Sequence, residues 1–206
     1  VTGDTKVVER GKGDGVFITT TGVGIVPPGV DISGDRVLPG DAIIVSGTVG
    51  DHGVAILSVR ENLSFGTSIQ SDTAALHGLV AAMVAAVPGI HALRDPTRGG
   101  LATALNEIAR QSGVGMVLRE TDLPIRGEVR AACEFLGLDP LYSANEGKLV
   151  AFCRQEDADA LLAAMRAHPL GREAAMIGEA VEDDHRFVQM ETAFGGRRIV
   201  DWLTGE

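Results

Sequence analysis

Three short stretches of this 206-residue chain carry the residue types that chemistry needs. "RDPTRGGLATALNEIA" runs from Arg94 to Ala109 and sets Arg98, Gly99 and Gly100 directly before a stripe of helical spacing. The first amides of a helix lack intrahelical partners and carry the positive end of its dipole, so they can hold an anion. Two glycines would keep side chains out of an anion's way, and an arginine could add a bidentate contact. The same letters also spell an ordinary strand-to-helix turn, and the residues alone leave both readings open. "VTGDTKVVER" places Asp4, Thr5 and Lys6 at the start of a strand. A carboxylate there could bind Mg²⁺ and the lysine could meet a phosphate or carboxylate; otherwise these are the polar ends of a surface strand. "YSANEGKLV" sets Asn145, Glu146 and Gly147 in a turn before an apolar strand, where Glu146 could act as a base, bind metal, or simply be an exposed turn residue.

Other chemistries are excluded. Gly147-Lys148 lacks the rest of a Walker P-loop, and no G-x-G-x-x-G joins a strand to a helix. The five histidines are dispersed, with no zinc spacing. Cys133 lies on an apolar helix stripe and Cys153 in the run "LVAFC", apolar on both faces, so both read as packed core thiols. His52 in "GDHGVA" could touch a ligand, but reads first as a helix-start residue.

The elements that must position these residues follow from pattern. "TKVVER" and "VFITTTGVGIV" read as two strands joined near Asp14-Gly15, and "PPGVDISGDRVLPGD" as a linker or domain boundary. "AIIVSGTVG", "GMVLRE", "KLVAFC", "AAMIGEAVE" and "RFVQMETA" read as strands. Four helical stripes stand between them: Leu76, Leu79, Val80, Met83, Val84 and Val87, capped by Ser71 or Asp72; Leu101, Leu105 and Ile108; Val129, Cys133 and Leu136; and Ala158, Leu161, Leu162 and Met165. Irregular interleaving predicts an α+β, or mixed α/β, class with a sheet covered by about four helices.

Hydrophobic residues make up 45% of the chain, enough for a large core, and no apolar run approaches the roughly 20 residues of a membrane span. A formal net charge of -10 argues against nucleic acid or an anionic membrane as the main partner. With two cysteines and no signal peptide, a cytoplasmic protein is expected. The chain opens on Val1, and a piece of a longer protein is expected.

Taken in order, "GDTKVVERGKGDGVFITTTGVG", "LPGDAIIVSGTVGDHGVAIL", "DPTRGGLATALNEIA" and "GGRRIVDWL" closely resemble the HypE carbamoyl dehydratases of [NiFe] hydrogenase maturation. These belong to the ATP-binding superfamily of aminoimidazole ribonucleotide synthetase and selenophosphate synthetase, and the similarity runs nearly end to end. The resemblance implies that residues 27–206 form the superfamily's C-terminal α/β domain. Residues 1–26 would be the last strands of an N-terminal, dimerising, ATP-binding domain. It implies ATP and Mg²⁺ as cofactors, HypF as carbamoyl donor and the HypC–HypD complex as cyanide acceptor. By the same resemblance Lys6 and Glu146 are the expected catalytic residues, Glu146 as base. Asp4 is expected near Mg²⁺, and Thr5, Asp95, Arg98, Gly99 and Gly100 beside the nucleotide or the entrance of a C-terminal tail. That tail bears the family's acceptor cysteine; the sequence stops at "RRIVDWLTGE", and neither Cys133 nor Cys153 stands in for it. Lacking that tail and nearly all of the dimerising N-terminal domain, the chain alone is expected to be inactive and monomeric. The alternatives are an interaction module docking HypF or HypC–HypD, another ATP-dependent enzyme of the same superfamily, or a stable folded piece without activity.

Overall fold

The strand β1 (Asp41–Val45) is buried along its whole length, which a strand achieves only when both faces of its sheet are covered. Its side chains alternate between two cores. Ile43 and Val45 face one with α3 (Gly100–Ser112), whose stripe of Leu101, Leu105 and Ile108 is fully inside. Ala42 and Ile44 face the other, with α2 (His77–Ala86) and α5 (Ala158–Ala167), through Leu79, Met83, Leu161 and Met165. The computed structural model describes residue 15 and residues 21–63 and 69–202.

Among the described residues the sheet has seven strands. In sequence they are β1, β2 (Ala92–Arg94), β3 (Gly115–Arg119), β4 (Val150–Arg154), β5 (Ala175–Val181), β6 (Val188–Glu191) and β7 (Arg197–Ile199). Their spatial order is β2-β4-β1-β5-β3-β6-β7, with β3 and β6 parallel and every other neighbour antiparallel. The mixed α/β class expected from the sequence is thus present, and each of its longer strands follows an apolar run.

Among the described residues five α-helices stand where about four were expected. The extra one is α1 (Asp51–Arg60), which has His52 in its first turn as anticipated. Its apolar residues are spread around the helix: Val54 and Ala55 are buried while Val59 is exposed, so no stripe announces it. Val54 packs with Val129, Ala132 and Cys133 of α4 (Gly127–Leu136) in a small cluster beside the main cores.

Two expectations need correction. Neither Ser71 nor Asp72 caps α2, whose N-cap is Leu76 with no side-chain hydrogen bond. Asp72 instead accepts the Glu146 amide at 2.9 Å and pairs with Lys148 at 3.2 Å, a better use of a buried carboxylate than one helix amide. Thr21–Val26, expected to finish a strand, belongs to no element and is exposed; no described strand lies beside it to complete a ladder. The rest of the predicted opening hairpin, residues 1–14 and 16–20, lies outside the described residues. The stretch 27–40 carries no helix or strand, and it is tied to the body. The Ser33 amide donates to the His91 carbonyl and the Val37 amide to Ser112 Oγ, at 2.9 and 3.1 Å.

Candidate functional site

The short strand β2 delivers the chain to Asp95 and Pro96, where the ladder stops and the loop to α3 begins. Gly99 is the N-cap of α3 and takes a left-handed φ of 71°; Gly100 follows at 64°. Two consecutive left-handed residues turn the chain sharply, a conformation that costs a side-chain-bearing residue roughly 1–2 kcal/mol. Gly100 has a second reason to be glycine. A Cβ there would stand 2.7 Å from the Ser143 carbonyl oxygen and closer still to that of Leu141, so the helix start is pressed onto the 3-10 turn at Pro140–Tyr142. The Gly100 amide is used as well, donating to the Thr97 carbonyl at 3.0 Å. The sequence suggested that both glycines clear space for an anion. At Gly100 the close neighbour is protein backbone, and its amide is not available to a ligand.

Arg98, Thr97 and Thr103 line an open cleft of about 470 Å³ together with Arg94, Glu107 and Glu146. Arg94 Nη2 pairs with Glu107 Oε2 at 2.6 Å, so one wall is a neutral ion pair. Glu146 is exposed and comes from the turn before β4, 48 positions beyond Arg98 in the chain (146 − 98). The fold thus brings together two of the residues singled out by sequence. Asp95 is exposed at the strand end but does not line this cleft. Asp4, Thr5 and Lys6 lie outside the described residues, and among the described residues no group of three or more His, Cys, Asp or Glu side chains could hold a metal ion.

The turn carrying Glu146 is held on both sides. Asp72 grips it from outside through the Glu146 amide and Lys148, and a Cβ at Gly147 would overlap the Asp72 backbone. From inside, Asn145 is fully buried. Its Oδ1 accepts the Gly50 amide at 2.9 Å, and Nδ2 donates to the carbonyls of Pro96 and Ser143 at 3.1 and 3.0 Å. Its own amide also donates to Pro96, at 3.1 Å. Sequence reasoning saw Asn145 only as a turn residue; the signal available was an asparagine immediately before an apolar strand, where turn asparagines are commonplace.

Both cysteines are buried, as expected of core thiols. Burial pushes the Cys153 thiol up to about 12, with the charges of Asp157 and Asp41 adding to it. Burial also raises Cys133, helped by Asp139 and opposed by a hydrogen bond with Ser143. Neither thiol is prepared as a nucleophile.

A seven-stranded mixed sheet with helices on both faces and a polar cleft at the start of α3 defines an α/β domain. The chain belongs to the family described as AIR synthase related protein, C-terminal domain, whose pattern it matches over residues 39–191. It is 72% identical over all 206 residues to the carbamoyl dehydratase HypE of Azotobacter vinelandii, and spans 60% of that protein's length. Among solved structures, HypE in complex with ATP is 50% identical with a TM-score of 0.81, covering 84% of this chain and 54% of that one. A HypE–HypF complex is 44% identical with a TM-score of 0.82, covering 84% of this chain and 56% of the other.

Proposed function

We propose that this chain supplies the C-terminal α/β domain, residues 27–206, of an ATP-dependent carbamoyl dehydratase of the HypE type. One observation carries the reading: the 72% identity to a protein of that name extends over every residue of the chain. The residues that line the cleft support the roles given below. In the proposed reaction the oxygen of a cysteine-bound carbamoyl group takes the terminal phosphoryl group of ATP and leaves as phosphate. The nitrogen loses both its protons, and a thiocyanate remains on sulfur. An amide oxygen is a poor leaving group and phosphorylation corrects this; the departing protons need an acceptor within hydrogen-bond reach.

Glu146 is that acceptor in our reading. It is exposed to the cleft, so carbamate nitrogen can reach it, and its backbone is held by Asp72. Arg98, across the same cleft, would bind anionic oxygen of the nucleotide or of the incoming tail. Lys6 would serve beside the thiocarbamate or phosphates, Asp4 beside Mg²⁺, and Thr5 and Gly99 along the nucleotide's border, whereas Asp95, outside the cleft, and Gly100, packed on backbone, would act only by shaping the loop. Bound Mg²⁺ would neutralise phosphate charge. HypF would deliver the carbamoyl group and HypC–HypD would receive the cyanide, in the cytoplasm. A HypE solved with ATP and another solved with HypF support the cofactor and the donor. No helix among the described residues is long and apolar enough to cross a membrane.

The test uses the full-length protein with its acceptor cysteine, loaded through HypF. Glu146→Gln should bind MgATP as the parent does, yet lose about 10²–10⁴ of the single-turnover rate of thiocyanate formation, the usual contribution of a positioned base. A rate within threefold of the parent's would remove Glu146 from this role.

A further inference from the structure

Arg98 and Glu146 approach one cleft from segments far apart in sequence, and something must fix their separation. Glu146 sits on a turn, Arg98 on a loop between a three-residue strand and a helix, and neither segment is itself a regular element. The main-chain and side-chain contacts of Asn145 cross the gap between them. Asn145 grips the loop at Pro96, two residues before Arg98, with its side-chain and main-chain N–H groups. The same side chain closes the turn at Ser143 and holds the Gly50 amide at the start of α1.

We propose that Asn145 is a positioning residue, whose buried amide locks the Arg98 loop to the Glu146 turn so that the two charged groups face one bound substrate. The inference rests on the proposed roles of Glu146 and Arg98. Chemistry restricts the residue type. The position needs one acceptor and two donors on a short side chain. Aspartate supplies the acceptor but no donor, serine cannot span to both carbonyls, and glutamine is a methylene too long for a fully buried site. Neutrality also matters, because the position is closed to water and a charge there would lack a counterion. An asparagine serving stability alone would need only to satisfy its neighbours. This one joins the two segments that bear the candidate chemistry, and displacement of about 1 Å at a reacting centre can cost ~10²-fold in rate.

The experiment is a pair of double-mutant cycles in the full-length, HypF-loaded protein, read as single-turnover thiocyanate formation at saturating MgATP and well below the melting temperature. Asn145→Ala should slow the parent by about 10–100-fold. In the Arg98→Ala background, and in the Glu146→Asp background, the same change should cost less than about threefold, because the group being positioned is already gone or displaced. Asn145→Ser, a gentler neutral change, repeats the cycles if the alanine variant does not fold. An unchanged rate in the parent, or a loss in both backgrounds as large as in the parent, overturns the proposal and leaves Asn145 a stabilising residue. The Glu146 variants judge the base separately. If Glu146→Gln is fully active the base reading falls, while the Arg98 cycle still decides whether Asn145 positions the loop.

Discussion

At the scale of single residues, the clearest consequence concerns Cys153. Its side chain is on β4 against the α2 and α5 core, and its thiol is raised from an ordinary 9.0 to about 12 by burial first, then by Asp157 and Asp41. The unfolded chain releases this proton near its ordinary value, while the folded chain keeps it to about pH 12. Between those limits the folded state binds more protons than the unfolded state, so stability falls as pH rises. The contribution is fully present below about pH 9 and declines by about 1.4 kcal/mol per pH unit above it. Urea unfolding at pH 8, 9 and 10 should therefore show a steeper decline for the parent than for Cys153→Ala, with the difference opening only above pH 9. Parallel curves would mean that the thiol reaches water in the folded state. The same burial should protect Cys153 from alkylation in native buffer.

At the scale of elements, the joint between α3 and the 3-10 turn at Pro140–Tyr142 seats the start of the helix that carries Thr103 and Glu107 to the cleft. Gly100→Ala would add left-handed strain of about 1–2 kcal/mol and force Cβ into two backbone carbonyls that cannot rotate away, for a total of about 3 kcal/mol or more. Gly137, the left-handed residue after α4, has a φ of 68° and open space where its Cβ would go, so Gly137→Ala should cost only about 1 kcal/mol. Thermal melts of the two variants check the comparison; equal losses would show that the turn yields to α3. Gly100 also marks the limit of what sequence could say. A glycine pair signals close approach, but the approaching partner is chosen by tertiary structure, here a carbonyl rather than an anion. The buried strands were legible because an apolar run covered on both faces needs no period. The edge strands β2 and β7 were not, since three residues show no pattern, and α1 was hidden by apolar residues spread around it. The loop of Arg98 and the turn of Glu146 were each visible as motifs. Their convergence was not, because it depends on Asn145 bonding to a proline carbonyl 49 positions away.

At the scale of the whole molecule, charge and edges govern association. The two outer strands of the described sheet are three residues each, too short to template pairing with another copy, and Arg197 on β7 is exposed and pairs with Glu191. A net charge of -10 adds repulsion. Sedimentation at micromolar concentration should therefore give the 21.5 kDa monomer mass for this chain, and a stable dimer would contradict the reasoning. Nucleotide affinity follows from the same balance. The described cleft has two arginines, Arg94 and Arg98, and two glutamates, Glu107 and Glu146, with Arg94 already paired to Glu107. Such a lining offers a triphosphate no excess of positive charge, so most of the attraction for MgATP must come from outside it. The chain spans about 60% of the length of its curated relatives, and under the proposed function the remainder of such a protein would supply the further nucleotide contacts. Calorimetry should then find micromolar MgATP binding by the full-length protein and no saturable heat from this chain over the same range. In that outcome the Arg98 loop guides the tail or closes over nucleotide held elsewhere. Should the chain bind MgATP unaided and Arg98→Ala abolish it, the loop is itself the primary phosphate site, and the division of labour proposed for the two parts is reversed.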